Sequence, residues 1–145
     1  MDILVQRIES GESGDYSGEY EFPLYSNPAF FKGTKPVAVF IGMEWVAVKK
    51  WREVYTIILN HANADPKHHE KLMNMRNIMA GRKRAVISDK PEGMDVPIQL
   101  DDELYVEAYF DTEWLIKNLT RILGAIGYNY NGISVLFRKG GAKFD

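Results

Sequence analysis

The chain has 145 residues, of which 46% are apolar and 26% charged, and it has no cysteine. That is one ordinary domain with enough apolar material for a core, so wholesale disorder is excluded. Without Cys there is no disulfide framework, thiolate zinc site or cysteine nucleophile.

No apolar run approaches the roughly 18 residues of a membrane span. Met1 to Arg7 lacks a basic segment leading into a long apolar one, so a cytoplasmic setting is expected. The formal charge of −2 hides blocks of opposite sign. Residues 1–31 hold one Arg against six acids, and residues 85–115 hold one Lys against nine. Residues 32–52 hold five cations against Glu44, and residues 116–145 hold five against Asp145. Arg82, Lys83 and Arg84 form a short basic run. The acidic blocks suit a basic partner, and the basic runs suit phosphates where they meet in space.

Residues 1–9 read as a short helix or an edge strand, and residues 10–18, rich in Gly and Ser, as a loop or arm. Tyr20, Phe22, Tyr25, Phe30 and Phe31 crowd the next segment. Pro23 and Pro28 interrupt regular structure there, so the segment is expected to pack along a core edge. Val37 to Ile41 and Trp45 to Val48 are short strands joined through Gly42-Met43 as a hairpin. Trp51, Val54, Tyr55, Ile58, Leu59 and Ala62 then mark one face of a helix. Asp65-Pro66 caps and starts another, with Leu72, Met75 or Arg76, and Met79 as its thin stripe and Gly81 beyond its end.

Ala85 to Ile87 is a short strand, Asp89 to Asp95 a loop, and Leu104 to Phe110 the best alternating strand. Asp111 caps the last helix, whose face is Leu115, Leu119, Ile122 and Ile126, widened by Ile116 and Leu123. Gly127 stops it, and Ile133 to Phe137 is the final strand. The order β-β-α-α-β-β-α-β predicts an α+β fold in a single domain. It has a mixed sheet of four to six strands, about three helices largely on one face, and a right-handed parallel crossover at its end. Residues 1–31 form an arm and aromatic lead-in, residues 32–138 the core, and residues 139–145 a flexible tail.

The motifs for catalysis are thin, and the chain is not expected to be an enzyme. His68 and His69 are neighbours on a helix and point about 100° apart, so with His61 they do not converge on a metal. Asp101, Asp102, Glu103 and Glu107 could hold a cation or act as acid and base. However, Glu107 is followed by Ala108 and Tyr109 rather than a lysine, and Asp101-Asp102 reads as a turn. Ser88 has no glycine-flanked elbow. Neither a phosphate loop nor a dinucleotide fingerprint occurs. No catalytic residue, metal or cofactor is expected.

Binding residues are easier to name. Trp114 lies off the main stripe of its helix. Core or semi-buried packing is the simpler expectation for it, and exposure would make it a binding anchor. The expected protein-binding residues are Trp114 or Tyr109 as apolar anchors and the acids Asp101, Asp102 and Glu103. Lys49, Lys50, Arg52, Arg82, Lys83 and Arg84 are the candidates for nucleic acid.

Four segments carry a resemblance: Lys35 to Val39, Trp51 to Val54, Gly81 to Arg84, and Leu104 to Glu107 on to Ile122-Leu123. Across residues 35–137 the chain resembles small uncharacterised proteins carried by phages and mobile elements of Gram-positive gut bacteria. These are packing and turn motifs, so the resemblance implies a setting and assigns no residue a role. Proteins of this kind include anti-defence proteins, among them inhibitors of CRISPR nucleases, and DNA-binding regulators. The expectation is therefore a non-enzymatic protein-binding protein of a mobile element. In its sharpest form it inhibits a host complex that targets nucleic acids, with acidic blocks 9–21 and 89–113 facing a basic channel. The alternative is a nucleic-acid-binding regulator.

Overall fold

The computed structural model describes residues 18–78 and 85–139. The expectations for residues 1–17, for 79–84 with Met79, Gly81 and the cluster Arg82, Lys83 and Arg84, and for 140–145 lie outside the described residues. The described part contains β1 (Glu19–Pro23), a 3-10 helix (Pro28–Phe31), β2 (Thr34–Ile41), β3 (Glu44–Ala47), α1 (Trp51–Asn63) and α2 (Pro66–Asn74). It continues with β4 (Ile87–Ser88), β5 (Pro97–Asp101), β6 (Leu104–Glu107), α3 (Thr112–Ala125) and β7 (Ser134–Lys139).

The fold is α+β, in one small domain. One sheet has four strands in the order β1-β7-β2-β3, and a second has three in the order β4-β6-β5. Every strand pairing among the elements described is antiparallel. This corrects the expected single mixed sheet and its parallel crossover. The strands on either side of α3 belong to different sheets, so α3 links the two sheets.

Two strands, β1 and β5, form where the sequence pattern predicts no regular element. Prolines hide both. Pro23 is the last residue of edge strand β1, and Pro97 the first residue of edge strand β5. Pro36, inside a central strand, sits where the β2–β7 register shifts. These are the positions at which a missing N–H breaks no ladder bond. Residues 19–31, expected as a lead-in, thus belong to the core. Leu24 and Phe31 are fully buried, while Tyr25 and Phe30 stay exposed.

The helix faces follow their periodicity. The six α1 positions expected on the apolar face are all buried, as are Leu115, Ile116, Leu119, Ile122 and Leu123 of α3. Each Val, Leu or Ile among them contributes about 1.5–3 kcal/mol relative to leaving it in water. The caps form as expected. Asp65 accepts from the His68 N–H and Asp111 from the Trp114 N–H. In the β2–β3 turn both Gly42 and Met43 have positive φ, 61° and 68°, the type I′ geometry that matches strand twist. A side chain at Gly42 would be strained by the positive φ and would push His61 aside, since a Cβ would lie 2.8 Å from its Nε2.

One face of the four-stranded sheet meets the helices. Phe137 of β7 packs its ring against Phe31 and Trp51, with centroids 5.5 and 6.4 Å away, and Phe22 of β1 lies 5.3 Å from it. Val39, Ile41 and Val135 share this side and this core.

Candidate functional site

The carboxylates of residues 95–113 are largely occupied by the fold. Glu107 is 3% exposed. Its Oε1 accepts from the Asp95 N–H at 2.8 Å, and its Oε2 from the N–H groups of Val96, Ala108 and Tyr109 at 2.8, 3.1 and 3.0 Å. The Tyr55 hydroxyl donates to the Glu107 carbonyl at 2.8 Å. Burial, with the Glu107 charge behind it, holds that phenol protonated far above the ordinary tyrosine range. A carboxylate bound by four backbone amides is a clasp between the β4–β5 loop and the end of β6, with its lone pairs already used.

The turn Asp101, Asp102 and Glu103 joins β5 to β6, with Glu103 at φ 55°. Asp101 accepts from the Asp102 N–H at 2.9 Å and from Asn63 Nδ2 at 3.3 Å. These two bonds, with His69 nearby, hold its carboxyl below the ordinary aspartate range. Arg76 donates to the Glu103 carbonyl at 3.0 Å and approaches its carboxylate at 3.7 Å. The histidines border this corner. Nδ1 of His69 lies 2.7 Å from Asn63 Oδ1, Nδ1 of His68 lies 3.0 Å from Asp65, and Nδ1 of His61 lies 3.1 Å from the Tyr128 hydroxyl. Among the described residues no group of three such side chains could hold a metal ion.

The structure separates the expected protein-binding residues. The acidic turn and Tyr109 lie beyond opposite ends of β6, a strand about 10 Å long. Trp114 and Tyr109 belong to a different surface. Trp114 is 53% exposed rather than semi-buried, with Lys117 Nζ 4.5 Å above its ring. Glu113 draws in both Lys117 and Lys32, at 3.5 and 3.9 Å. The Lys32–Glu113 pair ties the end of the 3-10 helix to the first turn of α3. Phe30 of that 3-10 helix is 55% exposed, and Tyr109, two residues before the Asp111 cap, is 63% exposed. Tyr109 and Trp114 are thus exposed at the start of α3, and the Lys32–Glu113 pair brings the 3-10 helix that carries Phe30 to the same turn.

Lys49, Lys50 and Arg52 flank Trp51, whose indole donates to the Thr34 carbonyl at 3.0 Å. Val48 still donates to Val37 at 3.0 Å, which carries Lys49 alongside β2. Lys35 pairs in register with Arg138, and Thr34 with Lys139. Sequence blocks far apart therefore form one basic end of the four-stranded sheet. Arg138 is held by Glu19 at 3.1 Å. Lys35, Lys49, Lys50 and Arg52 form no ion pair among the described residues. Lys35 and Arg138 escape a reading of the sequence because only strand register brings them to Lys49.

Comparison with known proteins finds no matching family model, no similar curated protein and no similar solved structure. No helix among the described residues is long and apolar enough to cross a membrane.

Proposed function

We propose that the protein is a non-enzymatic binding module that engages a protein partner through the aromatic edge of Phe30, Tyr109 and Trp114. The observation that supports this most is the half-exposed Trp114 on the first turn of a capped helix. Trp and Tyr supply large contact areas at small entropic cost, and a preformed frame lowers that cost further. Asp102 and Glu103, exposed at the other end of β6, would add only rim charge. In the setting the resemblance implies, the partner is a host complex that targets nucleic acids, such as a CRISPR nuclease.

A second reading, a nucleic-acid-binding regulator, is favoured by the unpaired cations at the basic end of the four-stranded sheet. Tagged protein captured from the host, with and without nuclease treatment, separates the two. The first reading expects one protein to survive nuclease treatment and to disappear with Trp114→Ala, whose circular dichroism stays native. Loss of every partner on nuclease treatment contradicts it and favours the second.

A further inference from the structure

The two faces of the four-stranded sheet differ in kind. On the face away from the helices, register aligns Phe40 with Trp45 and Ser134, Ala38 with Ala47 and Leu136, and Lys35 with Arg138. Leu136 is buried at 8% exposure, and none of these residues belongs to the connected cluster beneath the helices. The Phe40 and Trp45 rings lie 5.2 Å apart between centroids, and Trp45 is 43% exposed. Small side chains, Ala38, Ala47 and Ser134, make a shallow floor beside them. At the far end stand Lys35, Lys49 and Arg138, about 14 Å from Trp45 along β3 by strand rise. Among the described residues the acids on this face, Glu19 and Glu21, lie on edge strand β1 opposite Arg138 and Leu136, and Glu19 is held by Arg138.

We infer that this face binds single-stranded nucleic acid, with a base stacked on Trp45 and Phe40 and the following phosphates on Lys49 and Lys35. The inference rests on the second reading above and narrows it. An aromatic platform leading into cations is what a flexible strand with a π-face and a charge in every nucleotide requires. A duplex fits poorly. Four strands about 4.8 Å apart present a face about 15 Å wide, broader than a major groove of about 12 Å. Paired bases also cannot offer their faces to a tryptophan.

The test is fluorescence anisotropy of a labelled oligothymidylate and of a duplex of the same length, titrated with the full chain at several salt concentrations. The single strand is expected to bind more tightly. Trp45→Ala should weaken it about tenfold to a hundredfold, and Trp45→Phe should restore part of the affinity. Lys35→Ala with Lys49→Ala should flatten the salt slope by about 0.7 for each phosphate that is no longer neutralised. Lys67→Ala, on the exposed side of α2, is the unaffected control. Equal binding of strand and duplex, indifferent to Trp45→Ala, would overturn the sheet-face inference and leave the basic-end reading standing. No binding of either would overturn both.

Discussion

Between Asp95 and Glu113 the carboxylates other than that of Asp102 are engaged by backbone and neighbouring side chains, whereas the side chains of Lys35, Lys49 and Lys50 at the end of the four-stranded sheet engage none. Both stretches look like charged surface when counted along the chain. In the fold, Glu107 binds four amides, Asp111 caps α3, Asp101 closes a turn, and Glu113 gathers two lysines. The lysines instead stand where three strands end. Charge density in a sequence therefore does not measure the charge available to a partner. An acid beside free N–H groups has a structural use that a lysine on an exposed strand end lacks.

Substitutions can break this contrast, beginning with the largest effect. Glu107→Ala strands several N–H groups and should cost about 3 kcal/mol or more in urea unfolding. That is a large share of the roughly 5–15 kcal/mol of a typical domain. A loss below about 1 kcal/mol would show that the clasp is not structural. Asp111→Ala should cost about 1 kcal/mol through removal of the cap, read as a lowered unfolding midpoint. Tyr55→Phe removes one buried donor and should cost about the same.

The pH dependence sharpens the comparison further. The Asp101 carboxyl is lowered by the Asp102 N–H first and by Asn63 next, and that of Asp89 chiefly by Asn77. A depressed carboxylate adds stability that is present above its unfolded value, near 3.8, and is lost as pH falls through the lower folded value. Thermal melts should therefore weaken below about pH 4, and Asp101→Asn should flatten that limb. The smallest effect belongs to Lys35→Ala and Lys49→Ala, each expected to leave stability within about 0.5 kcal/mol.

Local signals are legible in the sequence, and non-local ones are not. The α1 stripe, the Asp65-Pro66 start, the Asp111 cap and the Gly42-Met43 turn are all written within a few residues. β5 is hidden because Ile98 and Leu100 alternate with a proline, a glutamine and an aspartate, which looks like a loop until β6 pairs with it. Antiparallel pairing of β7 between β1 and β2 joins residues more than ninety positions apart, as Phe40 with Ser134 shows, and leaves no local mark. Glu107 is visible as an acid, but its partner amides carry no side-chain signature. Trp114 stands out by its place off the stripe. The platform of Phe40 and Trp45 does not, since only register puts those two rings on the face away from the core.

The most direct test of the contrast is one urea series on three proteins: the wild type, Glu107→Gln, and the double variant Lys35→Ala with Lys49→Ala. Glu107→Gln should lose about 1–3 kcal/mol while the double variant unfolds with the wild type, within about 0.5 kcal/mol. A stable Glu107→Gln, or a double variant that loses as much as Glu107→Gln, would contradict the contrast.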